Sequence, residues 1–116
     1  MISKIGVLLT SKENGEQIGV IEFDPSGMLI CRMIKRELNE YALRTVINLS
    51  DEKGFPPLYK KYKNRMDEKG NLPKDVLSSE ADAYAEMVNA ADVKIGGIPV
   101  EASVREWQEP TDLESK

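Results

Sequence analysis

Segments that favour β-structure lie at both ends of this chain, whereas the segments between them repeat apolar residues at helical spacing. Apolar β-forming runs occupy 5–10 and 18–23, and near the other end Val100, Ala102 and Val104 alternate with polar residues. Such alternation buries one face of a strand and leaves the other wet. We therefore expect an α+β fold, in which an antiparallel sheet of four to five strands from both chain ends carries two to three helices on one face.

Turn signals divide the first third of the chain. Asn14-Gly15 separates the first two runs, and this pair is typical of a β-hairpin because both residues tolerate positive φ. In Asp24-Pro25-Ser26-Gly27 the proline sets φ for a turn and the glycine accepts the left-handed position, which predicts a third strand over 28–34. A helix capped by Asp24 is the alternative for 28–34, since proline also suits a first helical position.

Three helices are predicted in the middle of the chain. The first begins near Lys35 and is apolar on two sides, one formed by Leu38, Tyr41, Ala42, Thr45 and Leu49 and the other by Leu43, Val46 and Ile47. A helix of this kind is usually covered on both sides, so we expect a later helix or a second subunit to cover the second side. A short helix is expected over 57–66, and an alanine-rich helix is expected to begin with Ser79 as its cap.

The end of the chain returns to β-structure. Gly96-Gly97 lies between two short apolar runs and predicts a hairpin, and Trp107 ends the last strand. The following residues are polar and acidic. We therefore expect a single domain over 1–107 and a disordered acidic tail over 108–116.

The chemistry of the side chains excludes several classes of site. The chain has no histidine and one cysteine, Cys31, so it lacks the usual general base and the commonest metal ligand and cannot form an internal disulfide. Cys31 in its apolar run is interpreted as a buried structural thiol, although Arg32, Lys35 and Arg36 would lower its pKa if they faced it. The acidic turn at 67–72 lacks the glycine of a calcium loop. No catalytic residue, metal site or cofactor is predicted.

Targeting signals and net charge both bear on which partners the chain can meet. No apolar stretch of the sequence has the pattern of a signal peptide or the length of a membrane span, so we expect a cytoplasmic protein. A net charge of −4 disfavours non-specific nucleic-acid binding unless positive charge is concentrated in one patch.

Positive charge is concentrated in the segment 58–65, which we call the basic-aromatic segment. It contains four cations, two tyrosines and no acid. With Trp107, a residue type that dominates interface hot spots, it supplies the candidate partner-binding residues, which are Tyr59, Lys60, Lys61, Tyr62, Lys63, Arg65 and Trp107. The alternative interpretation is a solvated helix face whose tyrosines enter the core, together with a tryptophan that closes the core edge.

The sparse reactive chemistry and the polarised charge favour a non-enzymatic protein-binding module, such as a regulator, an inhibitor or an accessory subunit of a larger assembly. A nucleic-acid-associated protein is the second hypothesis, with lysines on phosphates and a tyrosine stacked on a base. A small enzyme that works without histidine is the third. Exposed strand edges and the doubly apolar helix also leave a two-fold homodimer open.

Overall fold

The computed structural model describes residues 2–109, which form one five-stranded antiparallel sheet and three α-helices. The strands are β1 (Ile2–Ser11), β2 (Gln17–Phe23), β3 (Leu29–Met33), β4 (Lys94–Ile95) and β5 (Ile98–Glu109), in the order β3-β2-β1-β5-β4. The helices are α1 (Asn39–Lys53), α2 (Leu58–Lys61) and α3 (Lys74–Ala90), with short 3-10 turns at Arg36–Leu38 and Lys63–Arg65. The predicted α+β fold is confirmed, and β1 and β5 from opposite ends of the chain are neighbours.

The turn chemistry explains how the strands are joined. The Gly27 N–H donates to the Asp24 carbonyl oxygen at 2.8 Å, and Gly27 has a φ of 88°, as the Asp-Pro-Ser-Gly turn requires. The residues that follow form β3, so the strand interpretation of 28–34 is correct and the helix alternative is wrong. Between β4 and β5, Gly96 and Gly97 both have positive φ, which matches the right-handed twist of a two-residue hairpin.

The hydrophobic core lies between one face of the sheet and the helices. Ile5, Val7 and Leu9 alternate along β1 and are buried, and α1 and α3 bury a matching stripe of Ala42, Val46, Leu49, Ala81, Tyr84, Ala85 and Val88. The Tyr84 ring meets Phe23 and Phe55 edge to face, with ring centroids 6.2 Å and 5.2 Å apart. This arrangement suits the charge distribution of aromatic rings, so Tyr84 ties α3 to the sheet and to the end of α1.

Two helix boundaries differ from the sequence prediction. α3 begins at Lys74 with Pro73 as its N-cap, so the expected cap at Ser79 is wrong. The reason is that Val76 and Leu77 are buried, which extends the apolar stripe of the helix by more than one turn toward the N-terminus. The helix predicted over 57–66 is interrupted at Tyr62, which leaves helical geometry with φ −115° and ψ 31°.

The second apolar side predicted for α1 is only partly buried. Val46 faces the core with Ala42 and Leu49, whereas Leu43 and Ile47 each expose about half of their surface, 49% and 51%, and no later helix of the described chain covers them. β5 continues past the predicted domain end at 107 to Glu109, and the remainder of the predicted tail, 110–116, lies outside the described residues. None of the helices within 2–109 has both the length and the apolarity to cross a membrane.

Candidate functional site

The basic-aromatic segment is anchored to the domain by its first residue. Leu58 is buried and packs on the β2–β3 turn, where a Cβ placed on Gly27 would lie 2.6 Å from the Leu58 Cβ. The Leu72 N–H, beyond the segment, donates to the Pro25 carbonyl oxygen at 2.7 Å. The turn therefore holds the chain on both sides of the segment, and glycine at 27 permits this close approach.

Two side chains of the basic-aromatic segment form hydrogen bonds with a buried carboxylate of α3. Glu80 is only 4% exposed, and its Oε1 accepts hydrogen bonds from the Lys61 ammonium at 2.9 Å and from the Tyr62 hydroxyl. The hydrogen bond to Glu80 is the main reason that the pKa of Lys61 and the pKa of Tyr62 are both raised. A buried carboxylate needs such partners, so Lys61 and Tyr62 satisfy Glu80.

The other members of the segment divide between α3 and solvent. Arg65 Nη2 lies 3.4 Å from Asp75 Oδ2 in the first turn of α3. Lys60 and Lys63 are exposed and form no ion pair with any side chain in the described part of the molecule. Tyr59 is 46% exposed and lines an apolar groove. Tyr59, Lys60 and Lys63 are therefore the candidate residues that remain accessible.

Trp107 lies elsewhere, on the helix-free face of the sheet. It pairs with Lys4 across β1 and β5, and Lys4 alternates with the buried Ile5. Because successive side chains of a strand point to opposite faces, Trp107 points away from the helices. The structure therefore does not join Trp107 and the basic-aromatic segment into one site.

The apolar groove is the feature that sequence analysis did not identify as a site. It has a volume of about 360 Å³ and runs between α1, the β2–β3 turn and the chain at 55–59. Exposed side chains of Met28, Leu43, Ile47 and Tyr59 line it, and Leu29, Val46, Phe55 and Leu58 form its deeper part. The signal in the sequence was the second apolar side of α1, but its partner Met28 is remote in sequence.

Two buried hydroxyl groups lie at or near this groove. Ser50 lines the groove, and its hydroxyl and that of Tyr84 are buried without a hydrogen-bond partner of ordinary geometry among residues 2–109. Burial raises the pKa of Tyr84 to about 12, although the nearby Ser50 hydroxyl acts in the opposite direction. A phenol with that pKa remains protonated at neutral pH.

The surroundings of the Cys31 thiol and of the acidic turn at 67–72 are explained by packing and by backbone hydrogen bonds. Burial raises the pKa of Cys31 to about 11, which is opposite to the lowering expected if Arg32, Lys35 and Arg36 had acted on it. In the acidic turn, Asp67 Oδ1 accepts from the Lys69 and Asn71 N–H groups at 2.8 Å and 2.9 Å. In the part of the chain that the structure covers, no three cysteine or carboxylate side chains converge as metal ligands.

No protein-family model matches this chain, and no curated protein or solved structure is significantly similar to it.

Proposed function

We propose that this protein is a non-enzymatic protein-binding module that holds an apolar segment of a partner protein in the groove beside α1. The observation that carries the proposal is the cluster of four large exposed apolar side chains, Met28, Leu43, Ile47 and Tyr59, around one concavity. Grouped exposed apolar residues mark interaction sites far more often than scattered ones do. A helix side that is apolar and uncovered gains free energy when a partner removes it from water.

The charge beside the groove defines the chemistry of the partner. Lys60 follows Tyr59 on α2, and Lys63 lies on the adjacent 3-10 turn. Neither lysine has an ion pair with a described side chain, whereas Lys61 and Arg65 contact Glu80 and Asp75. We therefore expect the bound segment to carry aspartate or glutamate next to its apolar residues. Such pairs at an interface rim contribute to orientation and association rate more than to affinity.

This division of charges weakens the nucleic-acid hypothesis. Phosphate binding depends on the number of available cations, and two of the four cations of the basic-aromatic segment are already paired with carboxylates. A partner protein that buries the groove uses both the apolar cluster and the remaining lysines. As a regulator, inhibitor or accessory subunit in the cytoplasm, the module would act by occupying a surface of that partner.

The proposal is tested by affinity capture from the native host with nuclease treatment, followed by titration of the purified captured protein in a calorimeter. Ile47→Ser and Met28→Ser remove apolar surface from the groove. Ile34→Ser is the matched control, because Ile34 is 65% exposed and lies outside the groove. Lys60→Glu with Lys63→Glu tests the charge, and it leaves the structural contact between Lys61 and Glu80 in place.

We expect the dissociation constant to rise at least tenfold for the groove variants and several-fold for the double charge variant, with no change for Ile34→Ser. Binding that is lost on nuclease treatment, or that weakens equally in Ile34→Ser and Ile47→Ser, would overturn the proposal. A far-UV spectrum of each variant confirms that the fold is retained.

A further inference from the structure

The helix-free face of the sheet contains an open hollow of about 540 Å³. Gly6 lies across from Glu22 of β2 on one side and from Arg105 of β5 on the other. Neighbouring strands are about 4.8 Å apart, so the backbones of Glu22 and Arg105 are separated by about 10 Å, and Gly6 contributes no side chain to the space between them. A Cβ on Gly6 would lie 2.5 Å from the Ile21 carbonyl oxygen, so the close approach of β1 and β2 requires glycine there.

A buried carboxylate gathers cations at this hollow. Glu22 is 1% exposed although it lies on the uncovered face, and neither of its oxygens has a hydrogen-bond partner among the described residues. Lys4 Nζ lies 3.7 Å from Oε1 and Arg32 Nη2 lies 3.5 Å from Oε2. Because a buried charge is unfavourable unless it is paired, Glu22 keeps both cations close to the hollow.

Arg105 is a cation at this hollow that remains available. It is exposed, and it forms no ion pair with any side chain that the structure describes. Glu106 also borders the hollow, but its carboxylate pairs with Lys74. Positive charge therefore exceeds negative charge around the hollow. The planar guanidinium of arginine binds carboxylate and phosphate groups through two parallel hydrogen bonds.

Apolar side chains complete the lining of the hollow. Leu8 and Val20 are directly paired across β1 and β2, and the half-buried Trp107 lies two rows away on the same face, beyond the row that contains Gly6. A flat apolar body can pack on these side chains while an attached acid group reaches Arg105. Ligand sites commonly combine a mostly apolar lining with a few placed polar groups.

We propose that this hollow binds a small organic anion, with its carboxylate or phosphate group on Arg105 and its apolar body against Leu8, Val20 and Trp107. The site is separate from the groove of the proposed function, because the two lie on opposite faces of the sheet. Two classes of ligand combine an acid group with an apolar body in this way, namely carboxylic acids and phosphate esters.

The only tryptophan of the chain, Trp107, supplies the readout. Its fluorescence is recorded while the full-length protein is titrated with benzoate and with phenyl phosphate, and then with benzyl alcohol, benzylamine and inorganic phosphate. We expect saturable changes with at least one of the two aromatic anions and much weaker responses to the other three probes. Arg105→Gln is expected to weaken binding at least tenfold, whereas Lys94→Gln, which changes an exposed lysine outside the hollow, leaves it unaltered.

A response to benzoate alone or to phenyl phosphate alone supports the proposal and identifies the acid group. Arg105→Lys keeps the charge but not the planar fork, so intermediate affinity in a folded variant is a second supporting result. Three results would overturn the proposal. They are no saturable response to either anion, unchanged affinity in Arg105→Gln, and binding of benzylamine or inorganic phosphate as tight as that of the aromatic anions.

Discussion

Asn89 at the end of α3 makes two hydrogen bonds to the backbone of Ala102 in β5. Its Nδ2 donates to the Ala102 carbonyl oxygen at 2.9 Å, and its Oδ1 accepts from the Ala102 N–H at 2.8 Å. The short β4 pairs only with the first residues of β5, so at Ala102 the Asn89 amide makes the hydrogen bonds that a neighbouring strand would make. At the other edge of the sheet, Asn39 Oδ1 accepts from the Met33 N–H at 2.8 Å. Such caps reduce the tendency of sheet edges to pair with other chains.

Asn89→Ala is expected to destabilise the domain by about 1–3 kcal/mol, since it removes two hydrogen bonds and leaves backbone groups at the sheet edge without them. Urea unfolding measures the change, and light scattering during refolding measures self-association, which we expect to increase. Asn48→Ala is the matched control, because Asn48 is an exposed residue on α1. A loss no greater than that of the control would contradict the role given to Asn89.

The carboxylate of Glu80 is expected to stabilise the packing of α3 on the basic-aromatic segment. Glu80→Gln keeps the shape but removes the charge, so we expect a loss of about 1–3 kcal/mol. A double-mutant cycle with Tyr62→Phe is expected to give a coupling energy of about 1 kcal/mol, measured by urea unfolding. Asp82→Asn changes an exposed acid on the same helix and serves as the control. Strict additivity of the two changes would show that Glu80 and Tyr62 act independently.

Much of the fold was predictable because local signals and packing agree. Asn14-Gly15 and Gly96-Gly97 each marked a hairpin, and the alternation around Val100 identified the buried face of β5. The start of α3 was not predictable from its cap. Ser79 is a good cap by residue type, but the burial of Val76 and Leu77 extends the helix back to Lys74. Tertiary burial therefore outweighed a local preference.

The sites were predictable only in part. Composition located the cations of the basic-aromatic segment, but it could not show that Glu80 and Asp75, which follow in sequence, bind two of them. The groove joins Met28 with Ile47 across an intervening strand and a helix start, and no local pattern encodes that contact. Register likewise places Arg105 and Glu22 on either side of Gly6, which only the paired strands reveal.

Tyr84 is expected to make the stability of the protein depend on alkaline pH. The Tyr84 hydroxyl has its ordinary pKa of 10.0 in the unfolded chain and a pKa of about 12 in the folded protein. A raised folded pKa gives stability that is complete below pH 10 and is lost as the pH rises through 12. Because a difference of one pKa unit corresponds to about 1.4 kcal/mol, the free energy of unfolding is expected to fall by nearly 3 kcal/mol.

Tyr84→Phe removes this ionisable hydroxyl and keeps the ring that packs on Phe23 and Phe55. Because the hydroxyl is buried without a hydrogen-bond partner of ordinary geometry in the described region, we expect a change within about 1 kcal/mol at pH 7. Unfolding curves from pH 8 to above 11 compare the two proteins. Parallel pH dependences would rule out Tyr84 as the cause of the alkaline loss.

Gly27→Ala is expected to be more destabilising than Gly15→Ala. Both glycines have positive φ, 88° and 73°, so each substitution carries a similar backbone strain of about 1–2 kcal/mol. Only the Cβ at 27 meets Leu58, at 2.6 Å, whereas nothing lies within 4 Å of a Cβ at 15. Thermal unfolding of the two variants isolates the packing effect, and equal losses would show that the contact between Gly27 and Leu58 is unimportant.

Site-specific photo-cross-linking in the native host shows whether the groove beside α1 is the surface that meets a partner protein. The photo-reactive residue p-benzoylphenylalanine replaces Ile47 in the groove in one protein and Ile34, which is exposed outside the groove, in another. We expect a nuclease-resistant cross-linked product of defined mass from position 47 and little or none from position 34. No product from position 47, or equal yields of the same product from both positions, would contradict this role of the groove.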